Sequence, residues 1–222
     1  MRVMNTPPST SLTAFEPDCR RCPRLAAFLD EVRTEHPDYH CAPVPPFGPE
    51  TARLLIVGLA PGKHGANASG RPFTGDHAGI LLYRTLHAHG FASRPVSEHA
   101  ADGLRLQDCR ITNAVKCLPP QNKPTTAEIR ACNAYLAQEL GMLPSGGVVL
   151  ALGSIAHNAV LRALGLKQAS ARFGHAAEHL LPGGLTLLDS YHCSRYNTQT
   201  RRLTEEMFDA VFVRARALLD ES

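Results

Sequence analysis

Residues 58–79 read GLAPGKHGANASGRPFTGDHAG, with six glycines and two prolines between two apolar runs. Set in that bare backbone are Asn67, Phe73 and Asp76, and two further stretches, ITN at 111–113 and HCSRYNTQT at 192–200, add Asn113, His192, Ser194, Arg195 and Asn197. Glycine-rich backbone lets a bulky planar or phosphorylated ligand come close, and its free N–H groups bind phosphate oxygens. Phe73, stranded among small and polar residues, is either a stacking surface for a ring or a plug under its own loop. Asn113 carries both a donor and an acceptor, which suits the edge of a nucleobase, or else it caps the following turn. His192 either donates to a developing oxyanion or is a satisfied structural histidine. Asp76 is either a reactive carboxylate or the N-cap of the helical run behind it. No one of these residues decides the matter, and their gathering at one edge of the fold is what makes a site.

A second kind of chemistry comes from cysteine. Cys19 and Cys22 form a C-x-x-C pair, and Cys117 and Cys132 lie in a distant segment. A close pair grips one metal centre and two further thiolates complete four-fold coordination, as zinc or as an iron–sulfur cluster; thiolate count alone does not choose between them. The bland reading is a reduced pair that binds nothing. Cys41, Cys109 and Cys193 stand outside this set, and Cys109, in a strand pattern, reads as a small core residue.

The elements that must position these groups follow from hydrophobic pattern. Four short apolar runs with little alternation, 53–59, 109–115, 147–152 and 185–190, read as strands covered on both faces. Helical patterns occupy 78–89, 126–140 and 155–164, with an early helix at 25–35 and a last one at 203–219. Thr125 with Glu128 three residues on is a capping box for the second of these. Strands alternating with helices imply a parallel sheet with helices on both faces, whose ligands bind beyond the carboxyl ends of the strands. That rule selects the loops 60–76, 116–124, 153–154 and 191–200, where the unusual clusters fall.

The totals set bounds. At 222 residues with no repeat, the chain reads as one domain over 15–222 behind a mobile lead-in at 1–14. Hydrophobic residues at 44% and charged residues at 19% describe an ordinary globular protein, and the longest apolar runs are too short for a membrane span. The first residues carry no apolar stretch of signal-peptide length, so the expected compartment is the cytoplasm, where seven cysteines stay reduced. A net charge of +3 hints weakly at an anionic partner.

GLAPGKHGANASGRPFTGD, ITNAVKCLPP and HCSRYNTQTRRLT, in that order and together with CRRC and Cys132, resemble the family 5, or B-type, uracil-DNA glycosylases, relatives of the iron–sulfur family 4 enzymes. The resemblance covers most of the chain, from about Cys19 to the last helix. It implies a three-layer α/β/α sandwich around a parallel four-stranded sheet, with a structural [4Fe–4S] cluster on Cys19, Cys22, Cys117 and Cys132 and zinc as the second candidate. It implies action on DNA: excision of uracil first, with hypoxanthine and xanthine accepted by some members, leaving an abasic site for base excision repair; for a repair enzyme of this size the expected state is a monomer. By position, Phe73 would stack on the flipped base, Asn113 would bind its edge and His192 would support charge on the leaving base. Gly58, Ala60, Pro61, Gly62 and Gly70 would approach the nucleotide, and the arm 194–200, with Ser194, Arg195 and Asn197, would enter the duplex.

The chain also departs from the related families. Ala60 stands where several of them place a carboxylate or an asparagine, so water activation falls to Asp76, with Asn67 as second choice. Cys193 replaces the usual proline of the His-Pro-Ser motif, and NASG at 67–70 lacks an arginine found in the family version. Two further readings stay open at this stage: a protein that binds deaminated bases without turning them over, and a metal-stabilised nucleotide-binding protein.

Overall fold

The computed structural model describes residues 15–221; the expected lead-in at 1–14 lies outside them. Helix α1 (Pro23–Glu35) starts on a proline, whose missing N–H costs nothing in a first turn. Strand β1 (Leu54–Gly58) is buried throughout and runs into the glycine-rich loop, which holds the single turn α2 (Ala66–Ser69) before α3 (His77–Ala88). Then follow β2 (Cys109–Asn113), α4 (Thr126–Gly141), β3 (Val148–Leu152) and α5 (Ser154–Ala163). The chain closes with β4 (Glu178–Leu180), β5 (Thr186–Ser190), the short α6 (Arg195–Gln199) and α7 (Glu205–Asp220). The capping box at α4 is formed on both sides: the Glu128 amide donates to Thr125 Oγ1 at 3.3 Å and the Thr125 amide to Glu128 Oε2 at 2.7 Å.

The sheet order is β2-β1-β3-β5-β4, with the first four strands parallel and β4 antiparallel to β5. The expected four-stranded parallel sheet is therefore present, and a fifth strand is added at its rim. That strand escapes a hydrophobic reading because it is three residues long and Leu180 is exposed. It reaches β5 through Pro182–Gly184, where Gly183 and Gly184 both take positive φ, a conformation that side chains resist. At the opposite rim Phe47 bridges Ile111 of β2, each amide donating to the other's carbonyl at 2.9 and 2.7 Å.

Alternation along β1 explains the layers. Leu54 and Ile56 face a core shared with α3 and α7, and Leu55 and Val57 face a second one shared with α4 and α5. Both faces are covered, which is why the strands read as unbroken apolar runs. Between β1 and β3 the order reverses direction, and a crevice opens beyond the strand ends at such a switch.

Candidate active site

A pocket of about 400 Å³ lies at those strand ends. Its walls include Ala60 and Gly62 after β1, Phe73 and Asp76 before α3, Asn113 at the end of β2, and His192, Ser194 and Arg195 after β5. Leu59, Ala66, Ala78 and Asn122 complete the lining. Three segments far apart in sequence, carrying Phe73 with Asp76, Asn113 and His192, thus meet because β1, β2 and β5 end on the same side of one parallel sheet.

Phe73 is 5% exposed and sits at φ +55, in the left-handed region that a bulky side chain enters only under constraint. The constraint is visible. Tyr83 Oη donates to the Pro72 carbonyl at 2.7 Å, and Arg71, buried, binds Asp102 and Ser97 at 2.9 Å and the Ala100 carbonyl at 2.5 Å while lying over the Phe47 ring. The Asp102 side chain is buried, but the amides of Leu104 and Glu98 and the Arg71 guanidinium hold its carboxyl well below the usual range. The Phe73 ring ends stacked on His192, with centroids 5.9 Å apart.

Several glycines in and around this loop are also required by the protein's own packing. A Cβ on Gly58 would come within 2.5 Å of Asn113 Oδ1 and 2.7 Å of the Phe73 ring; one on Gly79 would lie 1.8 Å from the Phe73 carbonyl. One on Gly65 would strike the Asp76 side chain at 2.7 Å. These positions make room for the protein's own pocket residues, and of the glycines only Gly62 lines the pocket.

Asp76 holds both roles that its sequence position allows. Its Oδ1 accepts the Gly79 amide at 2.8 Å as the N-cap of α3, and the side chain also lines the pocket. Burial raises its pKa, partly offset by the amides of Gly79 and Ala78. His192 is held at about 4 by burial, so its imidazole is neutral near pH 7. Its carbonyl accepts Asn197 Nδ2 at 2.8 Å, and Ser194 caps α6. Cys193, where the related motif carries proline, is buried with its thiol on the Ala78 carbonyl at 3.5 Å. The arm is thereby tied to α3.

Several expected residues lie elsewhere. Asn67 is fully buried beneath the loop with Nδ2 on Cys41 Sγ at 3.5 Å, away from the pocket wall. Gly58 and Pro61 are buried behind the wall, Gly70 is the left-handed C-cap of α2, and Asn197 holds the His192 backbone. Asn122 was missed by sequence reasoning; the only signal was its place in the 116–124 loop, where it and Gln121 both take positive φ.

Behind β2, a second and much smaller pocket is lined by Cys19, Cys22, Cys117 and Cys132 together. Burial and the other three sulfurs push the Cys117 thiol up to about 12. Two N–H groups donate to sulfur here, Arg21 Nε to Cys19 at 3.4 Å and the Lys116 amide to Cys132 at 3.2 Å. Arg24 forks onto both Glu128 oxygens at 2.8 and 2.7 Å and so ties α1 to α4 across the pocket. The donor set suits a thiolate-bound metal centre, because sulfur accepts hydrogen bonds well only as thiolate and a cation reverses the cost of its charge.

The family model described as the uracil DNA glycosylase superfamily matches residues 45–216. A type-5 uracil-DNA glycosylase of Thermus thermophilus is 50% identical over 207 residues, spanning 90% of this chain and 93% of the relative. One from Mycobacterium bovis is 43% identical over 215 residues, 93% and 80% of the two chains, and one from Pyrobaculum aerophilum is 40% identical over 204 residues, 90% and 88%. With the three motifs assembled in one pocket and matches of this extent, the chain belongs to the uracil DNA glycosylase superfamily, alongside its type-5 members.

Proposed function

We propose that this protein is a monofunctional DNA glycosylase that excises uracil, and also hypoxanthine and xanthine, from DNA. The observation that carries the reading is the convergence of Phe73, Asn113, Asp76 and His192 on one pocket at the sheet's switch point. A base can be attacked at its glycosidic bond only after leaving the stack, so the pocket must offer a ring face and a polar reader of the base edge. Phe73 supplies the first and Asn113 the second. As the bond to the base lengthens, positive charge grows on the sugar and negative charge on the departing base. The Asp76 carboxylate faces the first and orients the attacking water as general base. His192, neutral, donates its N–H to the second without surrendering a proton. Lys63 is paired with Glu35 at 2.6 Å and does not line the pocket, which favours direct attack by water over a Schiff base.

In the same proposal Cys19, Cys22, Cys117 and Cys132 hold a [4Fe–4S] cluster, which supplies cross-linking of the α1 entry, the β2 exit and α4 and takes no part in excision. The four thiols in one pocket, with N–H groups donating to two of them, support it. The test uses duplex DNA with one uracil, hypoxanthine or xanthine and the protein as purified. Strand breaks that appear only after alkali are the expected result; binding without release of base would transfer the assignment to a lesion-binding protein.

A further inference from the structure

Asp189 of β5 is fully buried, outside both the active pocket and the cysteine pocket. Its Oδ1 faces His157 Nδ1 of α5 at 2.8 Å, and its Oδ2 faces His179 Nε2 of β4 at 3.6 Å. The ligand atoms of all three residues lie within 4.8 Å of one another. His157 Nε2 meets the Ala171 carbonyl at 3.0 Å, and a carbonyl only accepts, so this nitrogen carries the ring hydrogen. His157 Nδ1 faces a carboxylate oxygen at 2.8 Å, and two such acceptors meet only with a proton or a metal cation between them. A proton serves those two atoms and leaves His179 Nε2, buried and without a hydrogen-bond partner among the described residues, unanswered. A divalent ion serves all three.

We infer that His157 Nδ1, Asp189 and His179 Nε2 form a structural binding site for a divalent transition-metal ion, zinc by ligand chemistry. Zinc bonds of about 2.0–2.2 Å to nitrogen and oxygen put neighbouring ligand atoms of a tetrahedron about 3.3 Å apart. The 2.8 Å contact is made to Oδ1 of Asp189 and the 3.6 Å contact to Oδ2, and with one ligand atom from each residue within 4.8 Å of the others the side chains close on one ion by rotation. Imidazole with carboxylate selects zinc-like ions over magnesium or calcium. The supporting shell is in place: Ala171 fixes the His157 ring, the Gly174 amide donates to Asp189 Oδ2 at 3.4 Å, and Phe173 packs edge-on against His157. As the ion enters, the proton between His157 and Asp189 leaves to solvent. The ion would pin the short rim strand β4 to β5 and α5.

The test titrates Co²⁺ into chelator-treated protein that retains its colour. The expected spectrum saturates at one equivalent, with visible d–d bands and no thiolate charge-transfer band in the near ultraviolet. Zinc at a hundredfold excess over Kd should raise Tm by roughly 5–10 °C. His179→Gln, on the exposed rim strand, should lose both effects while keeping the uracil excision rate; His157→Gln is the second variant. No saturable band, a thiolate band, or full binding in His179→Gln would overturn the site.

Discussion

The Asp76 carboxylate spends one oxygen on the Gly79 amide and keeps the other side of the group toward the pocket. Asparagine caps a helix as well as aspartate does, so Asp76→Asn should preserve fold and binding of uracil-containing DNA while slowing single-turnover excision about 10²-fold or more. An unchanged rate would remove Asp76 from the role of water activator. His192 gives the complementary test. With a folded value of about 4 it does not titrate near neutrality, and burial raises the Asp76 carboxyl from its ordinary value, so activity should hold at neutral pH and fall in the acid range as the Asp76 carboxylate takes up its proton. Stability behaves differently: an unfolded histidine binds its proton near pH 6.5 and the folded one resists until about 4, so stability is lost as pH falls across that window. His192→Gln should flatten this slope in denaturant midpoints and slow excision about 10²–10³-fold. Gly58→Ala should cost about 1–3 kcal/mol and weaken activity, because its methyl group displaces Phe73 and Asn113 together.

Strands and helices were mostly legible because burial on both faces leaves an unbroken apolar signature and the Thr125–Glu128 box marks a helix start. The residues at strand ends were legible for the same reason: once β1, β2 and β5 are placed, Phe73, Asn113 and His192 must share an edge. What stayed hidden is set by packing. Neither the single turns α2 and α6 nor strand β4 has the length for a periodic signal, and nothing local announces that Asn67 is buried or that Asn197 holds the His192 backbone. The packing demand on Gly58, Gly65 and Gly79 was equally hidden, since it lies in contacts across the fold. The cysteine pocket yields a prediction about elements: it joins α1, the segment after β2, and α4, so Cys117→Ala should abolish brown colour and sharply reduce soluble protein. Iron and sulfide analysis checks it, and normal folding with full iron content would count against Cys117 as a ligand.

Seen as a whole, the molecule carries a net charge of only +3, so its hold on a polyanion must come from local placement of cations. Arg195 is exposed at the pocket mouth. Arg195→Ala should weaken binding of duplexes with and without uracil alike and reduce the slope of log K against log salt by about one. A loss confined to the uracil duplex would instead make Arg195 a reader of the base. The rims of the sheet bear on a separate property. One ends in a three-residue strand that runs against its neighbour, and the other is engaged at Ile111 by Phe47. A long bare rim would invite a second copy to extend the sheet. With both rims curtailed, the sheet presents little bare backbone for a second copy to extend.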